Sequence, residues 1–419
     1  MNLFRVAYLI SHPIQYQVPL LQRLARHPEI DLQVYYMDHQ GVRPRRDPEF
    51  GVPVQWDLPL LDGYAWTLLR NISPWPEADH FLRFIHPGII PILYHGRFDA
   101  LIVHGYNRAT DWLAFLGARL SRTPLLLRGE STLRQEATRR GRRPLWVAVA
   151  KRILSWALLR RVDGALAIGI LNRQFYQAYG VPEARIFSTP YAVDNERFLA
   201  EAHRLAPSRA VLREQLGGPA GFPVVLCVGK LIARKRPMDV IEALAQVADR
   251  HPAVLVYVGE GGERHHLTEA AARRGLRHVI ITGFVNQTEI SRYYAAADIL
   301  VLPSGHEPWG LVLNEAMCFG LPVVASDAVG AAPDLVRPGE NGFVYPAGNV
   351  EVLAGVLKGL LADPVARARM GARSREIVAA YSYDADLRGI LDALHALGAR
   401  RGIDGTVAEG SIRNGRRAT

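Results

Sequence analysis

Along this chain, short apolar runs alternate with stretches of helical periodicity, and the alternation occurs twice. The first half reads FRVAYLI (4–10), a helix to about Arg26, and IDLQVYYM (30–37). After a less regular section come DALIVHG (99–105), a helix from about Ala109, PLLLRGE (124–130), a basic helix and GALAIG (164–169). The second half repeats the scheme with VVLCVG (224–229), VLVYVG (254–259), VIITG (279–283), DILVLPS (298–304) and PVVASDA (322–328). Helices are expected between these runs at 237–249, 263–274, 287–296 and 310–319. Runs so apolar and so short are strands buried on both faces, which implies parallel sheets covered by helices. The prediction is an α/β protein of two doubly wound, Rossmann-like domains, 1–200 and 201–380. Residues 199–222 lose the strand pattern and collect Gly217, Gly218, Pro219, Gly221 and Pro223, which reads as a hinge.

Composition adds limits. The chain has 419 residues, 49% hydrophobic and 21% charged, enough apolar material for two cores. Its two cysteines, Cys227 and Cys318, lie in apolar segments, so no disulfide framework is expected. MNLFRVAYLISH has neither a basic leader nor a small-residue cleavage site, and Arg, Asp, Gly or Pro breaks every run that approaches a membrane span. A cytoplasmic protein is expected.

The net charge of +10 is unevenly spread. RRGRR (139–143), Lys151-Arg152 and Arg160-Arg161 accompany Trp146 and Trp156. Residues 139–161 thus read either as a basic helix resting on anionic lipid at the inner membrane face, or as a packed helix whose basic stems reach water. No recognisable nucleic-acid module accompanies the charge, so no nucleic-acid partner is expected. The segment 398–419, rich in Gly, Arg and small residues, is expected to be a disordered tail.

Open α/β sheets bind ligands beyond the carboxyl ends of their strands, so the loops after each run carry the chemistry. Gly229 to Pro237 follows a strand, holds Lys230, Arg234, Lys235 and Arg236, and ends on a proline suited to a helix start. Such a loop fits a diphosphate; on its own it is also what a solvated basic loop looks like. In SGHEPWGLVLNEA (304–316), Glu307 lies in a post-strand loop and Glu315 about two turns into the next helix. Two carboxylates so placed would take sugar hydroxyls at one end of a ligand and a ribose diol at the other. The backbone of Pro308 to Leu311 would face the diphosphate between them. Spacing alone does not carry this, because a chance pair of Glu eight apart is ordinary.

EPWGLVLNEAMCFGLPVVASDAVG resembles the donor motif of the retaining GT-B glycosyltransferases, family 4, in their bacterial polysaccharide-type branch. VGKLIARKRP, VGEGG, GFV (283–285) and TPYAVDNERF (189–198) are similar to that family's basic loop, glycine turn, base-contacting segment and pre-hinge segment. The resemblance is close over about 160–395 and loose before it. It implies a GT-B fold, two domains facing across a cleft, with a helix over 381–397 crossing back to the first domain. It implies a nucleotide-diphosphate sugar as donor substrate, no cofactor and no metal, and transfer with retention to a glycan, lipid-linked or small-molecule acceptor. Lys230 and Lys235 would neutralise the diphosphate, Glu307 would hold the donor sugar, and Glu315 the ribose. Gly283, Phe284 and Val285 would meet the base, and Pro308, Trp309, Gly310 and Leu311 would lie along the donor.

Departures direct attention to the first domain. Lys230 stands where relatives more often have Arg. SHPIQYQ (11–17) replaces the usual glycine-rich turn, which makes His12 and Gln15 acceptor-side candidates together with Tyr106. Where many relatives carry a cleft histidine, this chain has Arg128, Gly129 and Glu130; Arg128 and Glu130 join the acceptor-side set, and His104 on the neighbouring strand could fill the catalytic gap. Asp384-Ala385-Asp386 spells a metal-binding D-x-D but starts a late helix, where capping is expected. His265-His266 lacks a third metal ligand. A nucleotide-sugar epimerase and a non-catalytic nucleotide-sugar-binding subunit remain as alternatives to transfer.

Overall fold

The computed structural model describes residues 3–47, 49, 51–77, 80–140 and 145–401. Gly141–Pro144 of the basic run and residues 402–419 of the expected tail lie outside the described residues. Seven parallel strands form the first sheet: β1 (Phe4–Ile10), β2 (Ile30–Tyr36), β5 (Ala65–Leu68), β6 (Ala100–His104), β7 (Leu125–Arg128), β8 (Gly164–Ala167) and β9 (Ile186–Ser188). Their order is β5-β2-β1-β6-β7-β8-β9. A short antiparallel pair, β3 (Arg45–Arg46) and β4 (Pro53–Val54), stands apart from it.

The second sheet holds β10 (Val224–Val228), β11 (Val254–Val258), β12 (Val279–Ile281), β13 (Ile299–Leu302), β14 (Val323–Ser326) and β15 (Gly342–Tyr345), in the order β12-β11-β10-β13-β14-β15. Both faces are covered, as the unbroken apolar runs required: Val224 and Leu226 enter one core, Val225 and Cys227 the other. Cys227 and Cys318 are buried free thiols. In each sheet the strand order reverses beside its first strand, between β1 and β6 and between β10 and β13. That reversal separates the following loops and opens a crevice at the carboxyl ends.

The helix Tyr383–Arg401 belongs to the first domain's core: Tyr383, Ile390, Ala393, Leu394 and Leu397 pack with Phe4, Tyr8 and Leu20. Its two acids do not cap it. Asp384 pairs with Arg23 at 3.0 Å, Asp386 receives both terminal nitrogens of Arg128 at 2.7 and 2.6 Å, and Ser382 Oγ accepts the Ala385 N–H instead.

Two further expectations change. A boundary at 200 would cut the helix Asn195–Leu205, whose Phe198 is buried in the second domain's core with Val224 and Leu226, so the chain changes domain between β9 and that helix. The expected hinge at 199–222 is largely helical as well. The helix Arg209–Gln215 sends Arg209 and Arg213 to Asp298 at the foot of β13, and Leu205 and Leu212 pack on Ala296.

Arg128 is fully buried and Asp386 is 2% exposed, so losing either partner strands a charge. Asp386→Leu is expected to lower unfolding free energy by about 3–5 kcal/mol, and Arg128→Met with Asp386→Leu to recover most of it. Urea titration of the two variants checks both values.

Candidate functional site

A cavity of about 640 Å³ lies between the two sheets, lined from one side by Gln15, Tyr16 and Glu130 and from the other by Lys230, Lys235, Phe284, Val285, Glu307 and Glu315. The second domain's wall is made by the loops after β10 and β13, the pair flanking its switch point. Gly259, at φ +157°, ends β11 so close to the β10 loop that a Cβ would sit 1.9 Å from the Gly229 carbonyl oxygen. Only glycine lets the cationic loop settle there. The β13 loop turns at Gly310, φ +105°, and is fastened to the loop after β14 by Glu307 N–H to Ala328 O at 3.2 Å and Gly330 N–H to Glu307 O at 3.0 Å.

The cations are already engaged. Lys230 Nζ donates to Asp47 at 3.0 Å and Glu49 at 2.8 Å, and Arg234 reaches Glu49 at 3.0 Å. Lys235 pairs with Glu307, whose carboxylate also accepts from Ser304 Oγ at 3.4 Å. Burial, with Arg234 alongside, brings the Lys235 ammonium down to about 7, while Glu49 opposes that change. The ion pair with Glu307 favours the charged form as well.

Glu315 lies in the first turn of a short helix, Val312–Cys318, not two turns in. It is 8% exposed and accepts a hydrogen bond from Tyr294 Oη at 2.5 Å. Burial raises its carboxyl from the ordinary 4.5 to about 7, with Tyr294 and Arg197 holding it lower than burial alone would. Trp309 lines the cavity but is 4% exposed, with Nε1 donated to Asn314 and its ring edge-on to Tyr191, so most of it packs between domains. Pro308, Gly310 and Leu311 also line the cavity; Gly283 does not, although it is paired across the turn with Gly259.

Of the first-domain candidates, Gln15 and Glu130 reach the cavity. The other four do not line it. Arg128 is spent on Asp386. His104 Nε2 pairs with the Tyr191 hydroxyl at 2.9 Å, and burial holds its pKa well below 6.5. His12 Nδ1 pairs with Ser11 Oγ at 2.9 Å, and burial lowers it to about 4. The Tyr106 hydroxyl is bonded to Ser131 Oγ. Burial favours the neutral form of both imidazoles, and neither lines the cavity.

Other lining residues escaped the sequence reading. Trp56 meets Phe284 at 5.9 Å, and the segment around it clasps the second domain through Gln55 O to Asn286 and Asp57 to Thr288. Arg197 lines the cavity and donates to the carbonyl and side chain of Gln287 at 3.0 and 3.1 Å. Arg197 was within the quoted NERF, whereas Asp47, Glu49 and Trp56 fall in an aperiodic stretch with no signal. Among the described residues, no three His, Cys, Asp or Glu side chains are grouped to hold a metal ion.

The architecture recurs in solved structures. The Anabaena protein HepE in complex with UDP superposes with a TM-score of 0.71 over 94% of this chain and 100% of its own, at 20% identity. The fold is that of the two-domain GT-B glycosyltransferases. The sequence profile described as Glycosyl transferases group 1 matches residues 208–377. An uncharacterised glycosyltransferase of Methanocaldococcus jannaschii is 33% identical over 317 residues, 73% of this chain and 78% of its own. The alpha-D-kanosaminyltransferase of Streptomyces kanamyceticus is 30% identical over 286 residues, 66% of this chain and 72% of its own. The chain belongs to the group 1 glycosyl transferases.

The raised carboxyl of Glu315 fixes a pH dependence. Because the folded-state value lies above the unfolded one, the burden of ionising Glu315 grows as pH rises from about 4.5 to about 7 and is constant above. Glu315→Gln should therefore leave thermal stability unchanged below that window and raise it at pH 8, by at most on the order of 3 kcal/mol. Melting curves of both proteins at the two pH values decide it.

Proposed function

We propose that this chain moves a glycosyl unit from a nucleoside-diphosphate sugar held by the second domain to a glycan, lipid-linked or small-molecule acceptor met by the first, with retention and without a metal ion. The observation that carries the reading is that Lys230, Lys235, Glu307 and Glu315 line one interdomain cavity. The solved HepE complexes with UDP and with UDP-glucose make a uridine nucleotide the first donor to try. Donor phosphates would take over Lys230 and Lys235 from the acids that now occupy them. Glu307, freed from Lys235, would accept hydroxyls of the donor sugar, and ionised Glu315 the ribose diol.

On this reading the leaving phosphate takes the acceptor proton on the face it departs from, so no protein nucleophile is needed. The lysines stabilise the charge that grows on the diphosphate as the glycosidic bond breaks. A role in polysaccharide or glycoconjugate assembly would suit such an activity.

Peripheral contact with an anionic membrane also belongs to this proposal. On the helix Leu145–Leu159, Val149, Ile153 and Trp156 are exposed at 48%, 61% and 46%, one turn apart, with exposed Arg152, Arg160 and Arg161 beside them. No helix among the described residues is long and apolar enough to cross a membrane. Apolar side chains flanked by arginine suit the headgroup boundary of an anionic bilayer. Cosedimentation should show binding to phosphatidylglycerol vesicles, little to phosphatidylcholine vesicles, and a loss on Trp156→Glu.

Turnover of a panel of labelled nucleotide sugars tests the main reading, with the anomeric configuration of the product read by NMR. Glu307→Gln is expected to lower kcat about 100-fold or more, and Glu315→Ala chiefly to raise the donor KM. Retained full activity in both variants sinks the assignment. Asp47→Asn with Glu49→Gln should tighten UDP binding about tenfold, because the acids compete with phosphate for Lys230; calorimetry reads it, and weakened binding would show that these acids assist the nucleotide instead.

A further inference from the structure

Glu130 lies in the loop two residues past the end of β7 and lines the cavity from the first domain. One of its oxygens, Oε1, accepts from Tyr191 Oη at 2.8 Å and from Tyr16 Oη at 3.3 Å. Both tyrosines are themselves fixed. Their rings meet edge-on at 5.5 Å, Tyr383 Oη donates to the Tyr16 carbonyl at 2.9 Å, and Tyr191 is 1% exposed beneath the Arg128 guanidinium. Among the described residues, no Lys, Arg or His nitrogen lies within ion-pair distance of Glu130. Arg128 is the nearest candidate by sequence, and Asp386 consumes it.

Glu307 and Glu130 are therefore unlike. The first is neutralised by Lys235; the second brings a carboxylate to the cavity with hydroxyl donors on one oxygen only. A carboxylate oxygen left facing a half-enclosed space is satisfied by an O–H or N–H donor and repels an anion.

We propose that Glu130 is the acceptor-recognition carboxylate, and that the acceptor group it meets is a hydroxyl or an ammonium, as in a neutral or amino sugar, and not a phosphate or carboxylate. This rests on the transferase reading for the word acceptor. The ligand class itself follows from the cradle. Tyr16 and Tyr191 act as positioning residues that hold Oε1 and so turn Oε2 toward the incoming group. The first domain thereby selects by charge against anionic acceptor ends at this point, while the second domain's cations attract the anionic donor. Opposite signs on the two walls keep donor and acceptor from exchanging places.

The test uses the full chain and direct binding. Glucosamine, methyl α-glucoside and glucose 6-phosphate are titrated by ligand-observed NMR, with and without saturating UDP, against the wild type, Glu130→Gln and Glu130→Lys. The wild type should bind glucosamine best and glucose 6-phosphate least. Glu130→Gln should weaken glucosamine about 10- to 100-fold and the glucoside less, the range expected for a charged hydrogen bond against a neutral one. Glu130→Lys should invert the order in favour of the phosphate. UDP affinity should change less than about twofold in Glu130→Gln, since the nucleotide is held by the other domain.

An unchanged order in Glu130→Lys, a wild-type preference for the phosphate, or no glucosamine binding to the wild type each overturns the proposal. Loss of UDP affinity in Glu130→Gln also overturns it by placing Glu130 on the donor side. Failure of wild-type UDP binding would instead strike the transferase reading, and the sugar titrations made without UDP still judge Glu130.

Discussion

The guanidinium of Arg128 has no exposed surface, and its placement depends on the partners that reach its two terminal nitrogens, since its Nε is buried without a hydrogen-bond partner. Asp386 comes from a helix 258 residues further along the chain and meets it with two short hydrogen bonds. Tyr191 lies under the cation at 5.1 Å, and the edge of Trp309 lies against Tyr191. A buried ion pair of this kind contributes little net stability over an apolar substitute, but any arrangement that separates its members is heavily penalised. It therefore selects one position for the crossing helix and, through Tyr191, one seat for Trp309 of the second domain. The walls of the cavity inherit their alignment from that seat.

The same pair shows where reading a sequence stops. Arg128 stands in a post-strand loop and Asp386 in a helix start, so local rules assign the first to the cleft and the second to a cap. Their pairing is a tertiary fact with no local trace. The inner strands of the two sheets were legible because each is buried on both faces and therefore uniformly apolar. β5, β9 and β15 were not: each is a short strand at a sheet edge, where neither alternation nor an apolar run is imposed. Glu307, Glu315, Lys230 and Lys235 were legible because a switch point makes post-strand loops chemically rich and a family motif marked the same positions. Glu49 and Trp56 enter the cavity from an aperiodic stretch that also brings Asp47 to Lys230, and only their contacts across the domains reveal them.

Charge on the second domain's wall of the cleft is handled by pairing before any ligand arrives. Lys230 has Asp47 and Glu49, Lys235 has Glu307, and Glu315 has the Tyr294 hydroxyl together with a raised pKa that favours its neutral form. A diphosphate entering this space would exchange one set of anions for another at the lysines, so cations need not be stripped of water again. The carboxylates behave differently. Glu307 would be released from its lysine and Glu315 would have to ionise, and both changes require hydroxyl donors to compensate them. Phosphate alone cannot supply those donors; a nucleotide carrying ribose at one end and a sugar at the other can. On the proposed reading, discrimination between inorganic diphosphate and a nucleotide sugar would follow from the cost of moving the two acids.

The division of labour between the domains has a physical origin as well. The second domain places its chemistry in loops tied to each other through backbone bonds, such as Glu307 to Ala328 and Gly330 to Glu307, and through glycines that tolerate no side chain. Such loops resist change, and the profile match runs across this half of the chain. On the first domain's side the cavity is met by side chains standing on a buried scaffold: Tyr16 and Glu130 line it, while Tyr383 holds the Tyr16 carbonyl and Tyr191 holds the Glu130 carboxylate. Substituting Glu130 or Gln15 would alter the polarity of that wall without disturbing the cores. If the proposed assignment of donor and acceptor to the two walls holds, a constrained donor grip and a readily revised acceptor wall follow from where backbone and side chain meet the cavity.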